Sequence, residues 1–331
     1  MSKNIKNIIL MSLVLAFILL SVEFLGIGRK TDVMVEIPKE SSVTDVCEIL
    51  SENNLIGNPF LFKVYSVLTG RTYFPGQFHI EKAGYPNLAD VFSTPPAEQT
   101  VDVTFYEGIE LREICDRLVD LKLCTKEEFY KYAVKDYYDY EFLEGIPERK
   151  ENPLEGYLFP DTYNFSYSEG AQSIINKMLA NFKVKIVDVY GPDIQAQNCS
   201  LDDIIIMASI VEREAADKKE LSKISGVFYN RLNRIGESVG LLESCATVQY
   251  VLKERKAVLS LTDTKIDSPY NTYKYQGLPI GPISCPGADA IKAAIFPEKT
   301  NYLYFVADGN GKHYFAETLL GHEQNKRKAG I

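Results

Sequence analysis

From Ile8 to Val22 the chain carries no charged residue, and Phe24, Leu25 and Ile27 prolong the apolar run beyond Glu23. About 20 residues of this kind let a helix cross a bilayer. Lys3 and Lys6 precede the run, which predicts a short tail inside the cell and everything after Arg29 outside. Gly26 and Gly28 form a weak small-x-small cleavage site. The stretch is long for a signal peptide, so an uncleaved anchor is expected over residues 1–29.

Beyond the anchor the pattern repeats. "VMVEIPKESSVTDVCEILSENNLI", from Val33, aligns without a gap with "VDVTFYEGIELREICDRLVDLKLC", from Val101. In each copy an apolar-polar alternation, the mark of a half-buried strand, passes into helical spacing through Val43, Val46, Cys47 and Leu50 or through Leu111, Ile114, Cys115 and Leu118. "GQFHIEKAGYPNLADVFS" and "GYLFPDTYNFSYSEGAQSIINKML" then each give an extended Gly-aromatic segment, a polar turn and an amphipathic helix. Duplicated units predict paired binding modules, or a spacer that holds the next domain off the membrane. The first copy is expected over 30–98, ending in the linker "STPPAEQ", and the second over 99–195.

A different domain, 196–331, follows. "SLDD" reads as a capping box, with Ser200 at the N-cap and Asp203 three residues on. The helix it opens is apolar on nearly every side through Ile204, Ile205, Ile206, Met207, Ala208, Ile210 and Val211, and belongs inside its domain. "ELSKISGVFYNRL" predicts a second helix with Ile224, Val227, Phe228 and Leu232 inward. "SPYNTYKYQGLPIGPISCPG", 268–287, reads as a surface loop whose tyrosine faces and amides suit a sugar, or as a rigid structural loop. "NYLYFVADGNGKHYFAE" predicts a hairpin about "DGNG", followed by a packing helix after Thr318. The fold class expected is α+β.

Composition narrows the function. With 331 residues there is room for two or three domains, and a net charge of −9 argues against nucleic acid as a partner. Only His79, His313 and His322 are present and the six cysteines show no zinc spacing, so no metal centre is expected. Cys47 and Cys115 sit in apolar helical patterns and read as small buried hydrophobes.

"MASIVEREAAD", 207–217, brings acid to the end of the buried helix. On a continuous helical wheel Arg213 meets Asp217 and Glu214 meets Lys218, a solvated, paired face. Glu212 instead has Ala208, Ser209, Ala215 and Ala216 at those spacings, with no cation. A carboxyl short of water and cations keeps its proton, which suits a general acid. Two alternatives stay open: Glu212 only accepts hydrogen bonds, from backbone or from Asn230 and Arg231, or Glu214 is the reactive acid. "GESVG" fits a nucleophile elbow at Ser238, but a helical pattern precedes it, so Gly236 reads as a helix stop and a triad with His313 and Asp308 is not expected.

"SIVEREA" with "GVFYNRL", "ATVQY", "SPYNTY", "GLPIGPI", "PGADAIKAA" and "YLYFVADGNGKHYF", preceded by "LEGYLFPDTY", resembles the YceG-like endolytic murein transglycosylases over roughly residues 100–325. The resemblance implies a membrane anchor, LysM-like modules and an outward-facing catalytic domain that cuts between N-acetylmuramic acid and N-acetylglucosamine in nascent peptidoglycan, leaving 1,6-anhydro ends. It implies no cofactor, peptidoglycan strands as substrate and cell-wall synthesis proteins as partners. It puts the catalytic glutamate on Glu212 and cleft residues on Tyr157, Asn230, Gln249, Tyr270, Asn271 and Tyr273. Such an enzyme needs one carboxyl, because the muramic 6-hydroxyl is the nucleophile, where ordinary glycosidases need two. Glu243 and Cys245, in "LESCATVQY", replace the family's glutamine and aspartate and put subsite preference in question. The rivals are a non-catalytic glycan-binding or division-scaffold protein, and a hydrolytic muramidase with Glu155 or Glu243 as second acid.

Overall fold

A computed structural model gives a mixed α+β chain, described over residues 3–29, 31–96, 99–149, 151–197, 199–233, 240–256 and 258–330. It divides into two compact units. The first comprises residues 1–103, 119–124 and 164–170, and the second comprises 104–118, 125–163 and 171–331.

The apolar N-terminal run is one helix, α1 (Lys3–Leu25). Asn7–Leu25 is long and apolar enough to cross a membrane, and no residue of it is fully buried in the protein. The first repeat follows as β1 (Val33–Ile37), α2 (Val43–Glu52), α3 (Pro59–Leu68), β2 (Gly76–Ile80) and α4 (Tyr85–Phe92). Ser42 caps α2 in a capping box with Asp45, and Pro59 starts α3 where its missing N–H costs nothing. β1 and β2 pair antiparallel with Val35 opposite Phe78, and both side chains enter a core shared with Val46, Leu50, Phe62 and Phe92. Next come β3 (Thr100–Thr104), α5 (Leu111–Asp120), α6 (Lys126–Tyr132), a single turn α7 (Glu141–Glu144), β4 (Thr162–Ser166) and α8 (Gly170–Phe182), an order that differs from that of β1 to α4 by the added turn α7. β3 pairs with β4. Cys47 and Cys115 are buried and free, as their apolar settings predict. The linker read at "STPPAEQ" lies partly outside the described residues, at 97 and 98.

After α9 (Asp188–Ala196) comes α10 (Leu201–Glu214), the predicted buried helix. Its capping box forms as expected: Ser200 Oγ accepts from the Asp203 N–H at 3.0 Å while Asp203 accepts from the Ser200 N–H. Nine of its fourteen residues are buried, which explains why an all-round apolar helix can exist in water. α11 (Leu221–Leu232), α12 (Cys245–Leu252) and α13 (Ala288–Ile295) surround it. α11 and α13 each pack on α10. The chain closes with the hairpin β5 (Tyr304–Ala307) and β6 (His313–Ala316), then α14 (Leu319–Ala329).

Candidate active site

Where α10 stops decides what its two glutamates face. Ala215 is extended, with φ −84° and ψ 125°, so Asp217 and Lys218 have left the helix and the charge pairing expected on a continuous wheel does not form. Arg213 is nearly buried and donates to the buried Glu110 at 3.0 Å, not to Asp217. Lys218 bonds Glu107 at 2.6 Å and Asp289 at 3.1 Å, not Glu214. Two acids remain in the last helical turn, against the negative end of the helix dipole, where an anion is disfavoured by about 0.3–1 kcal/mol. A local rule broken in this way marks a site more often than a packing element.

Glu212 and Glu214 are two residues apart and point to different surroundings. Ala208 and Ser209, behind Glu212 on the helix, are buried, and Ser209 Oγ accepts the Ile283 N–H at 3.0 Å while its carbonyl accepts from Ser284 Oγ at 3.3 Å. Glu212 is part-buried and accepts the Gly287 N–H at 2.9 Å. Gly108, at φ +79°, leaves it room, since a Cβ there would come within 3.2 Å of its Cγ. Burial raises the Glu212 carboxyl above the ordinary range, with Glu107 and Asp289 adding to the rise and the Gly287 bond and Lys218 opposing it.

Glu214 lines a cavity of about 360 Å³, within the size range of small-ligand sites. Ser244 Oγ donates to its Oε1 at 2.5 Å. Arg231, Glu243, Cys245, Tyr273 and Tyr304 share the wall. Arg231 is held by the carbonyls of Leu303, at 2.7 Å, and Leu242, and lies 3.8 Å from Glu243 and over the Tyr304 ring. The cavity therefore presents the cations Arg231 and Lys326, the carboxylates Glu214 and Glu243, and aromatic faces.

Of the predicted cleft residues only Tyr273 lines this cavity, its hydroxyl 3.0 Å from Cys245 Sγ. Tyr157 is wholly buried with its hydroxyl on Asp202 at 2.7 Å, so it is a core residue and not a cleft residue. Asn271, also buried, donates to the carbonyls of Thr264 and Ile266 and shapes the loop from within. Asn230 ties α11 to the carbonyls of Thr300 and Tyr302 at 2.8 and 2.9 Å, and Gln249 donates to the Lys256 carbonyl. Tyr270 packs on Tyr250 with ring centroids 5.0 Å apart. The family motif thus marks polar groups that hold backbone as readily as groups that meet ligand. His313, read against a triad, bonds Glu220 at 2.7 Å, and Ser238 lies outside the described residues. Ser244, Arg231 and Tyr304 were not singled out as cleft residues.

Glu155, considered as a second acid, is closed to solvent and accepts from the Leu111 N–H at 2.9 Å and the Tyr250 hydroxyl at 3.1 Å. No sugar reaches it. Burial pushes its carboxyl up to about 8, from an ordinary 4.5. The native chain therefore holds a proton that the unfolded chain has released between those values. Stability from this group is complete below about 4.5 and is lost as pH rises toward about 8. Glu155→Gln is expected to match the parent chain near pH 4 and to exceed it above pH 8 by a few kcal/mol, at ~1.4 kcal/mol per unit. Urea midpoints across that range check it, and parallel pH curves for the two chains would refute it.

The YceG-like family model matches residues 35–328. This chain belongs to the YceG-like family. It is 32% identical over 310 residues to the endolytic murein transglycosylase of Bacillus subtilis (strain 168), covering 90% of this chain and 85% of that one. The Streptococcus pneumoniae (strain R6) protein of the same name is also 32% identical, over 335 residues, and this chain spans 58% of its length. Among solved structures, a crystal structure of a YceG-like protein from Listeria monocytogenes aligns with a TM-score of 0.60 at 31% identity, covering 90% of this chain and 99% of that one. The YceG-like match runs from within β1 to within the last turn of α14, so the cavity described here lies within the shared region.

Proposed function

We propose that this chain is an endolytic murein transglycosylase in which Glu214 carries the proton. It is anchored by α1 with its catalytic unit outside the cell, and its repeats, 30–98 and 99–195, are LysM-like modules that hold the glycan strand. The observation that carries the assignment is the position of Glu214: of the two acids that end the buried helix, it is the one whose carboxyl lines a polar, aromatic-walled cavity. Geometry ranks before acidity in choosing a proton carrier, because the group must reach the atom it serves.

Protonated, Glu214 gives its proton to the oxygen that leaves with N-acetylglucosamine as the bond to the muramic anomeric carbon breaks. The carboxylate then takes the proton of the muramic 6-hydroxyl as that oxygen closes on the same carbon, which forms the 1,6-anhydro ring and restores the acid. Attack from within one sugar replaces a collision by a unimolecular step. Ser244 fixes Oε1 and leaves Oε2 for the substrate. Tyr273 and Tyr304 offer faces for the sugar rings. The chain's own groups suffice for this chemistry.

One observation favours hydrolysis as a second reading: Glu243 stands on the same cavity and is a second carboxylate able to activate water. Digestion of uncrosslinked glycan, followed by mass measurement of the new ends, separates the two. Anhydro ends are expected. Reducing ends would overturn transglycosylation in favour of hydrolysis, and uncut glycan would leave only binding.

A further inference from the structure

α3 is apolar on two faces, and only one of them has a protein partner. Phe62 and Ser66 point into the first unit and are wholly buried. Phe60, Val64, Val67 and Leu68 fall at i, i+4, i+7 and i+8, one continuous stripe, and are 70%, 39%, 68% and 80% exposed. Four large apolar side chains on one helix face in water need a cover.

α1 supplies the direction of that cover. Its last turn is fixed to the unit: Glu23 accepts the backbone N–H groups of Gly57, at 2.6 Å, and Asn58, at 3.0 Å, together with the Tyr85 hydroxyl, and it pairs with Arg29. Phe24 meets the rings of Tyr65 and Tyr85 at 5.6 and 5.8 Å. Two backbone bonds onto the N-terminal end of α3 set its height relative to α1, so the span does not swing on a linker. Between the two helices lies a cavity of about 530 Å³, lined by Phe17, Leu20 and Phe24 of α1 and by Leu61, Val64 and Leu68 of α3. Phe17 and Leu20 precede Leu25 by eight and five residues, which is roughly 12 and 8 Å along a helix at ~1.5 Å per residue. The C-terminal end of α3 is therefore level with side chains that belong in the hydrocarbon of the bilayer, below the end of the span.

We propose that α3 is a second, monotopic membrane element: its exposed stripe lies in the outer leaflet beside α1, and lipid acyl chains fill the cavity between the two helices. The occupant is lipid, not protein, because the stripe is continuous with the lipid-facing surface of α1 through that cavity. Tyr65 then stands near headgroup level, where an aromatic ring with a polar tip is favoured. The consequence for function is that the first unit is held against the membrane surface in a fixed orientation. This rests on α1 spanning the membrane, as read above.

The chain has no tryptophan, so one introduced indole is a unique depth probe. Full-length Leu68→Trp, Phe60→Trp and Phe17→Trp chains are reconstituted in vesicles of phosphatidylcholine brominated along the acyl chain. The expected result is blue-shifted emission in all three, with the brominated lipid removing most of the intensity. Quenching at Phe17→Trp with red, unquenched emission at Leu68→Trp and Phe60→Trp overturns the proposal and leaves the anchor standing. Blue-shifted but unquenched emission at the α3 positions puts protein, such as a second copy, on the stripe and also overturns it. Loss of quenching at Phe17→Trp removes the anchor itself, and with it the inference. All three positions are more than two-thirds exposed, so the substitutions leave the core intact.

Discussion

A Glu214→Gln chain is expected to bind glycan and cut it about 10²–10⁴-fold more slowly, the usual worth of a positioned general acid and base. Glutamine keeps the shape and still accepts the Ser244 hydroxyl through its carbonyl oxygen. It has no proton to deliver or to take back. Glu212→Gln makes the contrast. Its carboxylate accepts the Gly287 N–H in a site that glutamine fills equally well, so activity should stay within about tenfold of the parent, in the range of one lost neutral contact. Burial raises the Glu212 carboxyl, which is the property a general acid wants, and this is why the pair must be compared and not one variant alone. Loss of cleavage in Glu212→Gln with Glu214→Gln active would return the role to Glu212. Rates of new-end formation on uncrosslinked glycan, with a sedimentation assay for binding, provide the measurement.

The two glutamates also show how far a sequence carries. The capping box, the buried run and the arrival of acid at its end were all legible, because each is local and set by spacing along one helix. Choosing between Glu212 and Glu214 needed the wheel to continue past 214, and it does not. Ala215 turns extended, and the cations assigned to that face by spacing go to Glu107, Asp289 and Glu110, which are distant in sequence. The alternation of β1 and the helical spacing of α2 were legible in the same local way. Tyr157 and Asn271 were drawn into the cleft by motif position. In the fold they satisfy buried polar groups, a use that leaves the same trace in a single sequence.

Asp202→Ala is expected to cost about 3–5 kcal/mol, because it strands a charge inside the second unit. Arg149 and Asp202 have side chains only 2% and 6% exposed and form an ion pair in which Asp202 also accepts the Tyr157 hydroxyl. Arg149 Nε donates to the Ile280 carbonyl at 2.9 Å. Asp202 lies in the first turn of α10, where the helix dipole favours an anion, so the network pins the N-terminal end of the helix whose other end carries Glu214. Truncation to alanine leaves the guanidinium buried without its counter-charge and the Tyr157 hydroxyl without an acceptor. Replacing the network instead of breaking it gives the opposite expectation. Arg149→Met with Asp202→Leu and Tyr157→Phe exchanges charges for apolar groups of similar volume, and such exchanges are often neutral or stabilising by about 1–4 kcal/mol. Ile280 is half exposed, so water can serve its carbonyl. The triple variant should therefore unfold at higher urea than Asp202→Ala, measured on the full chain in detergent by the fluorescence of its tyrosines. If Asp202→Ala unfolds with the parent chain, Arg149 reaches water in the native state and the ion pair is not what fixes α10.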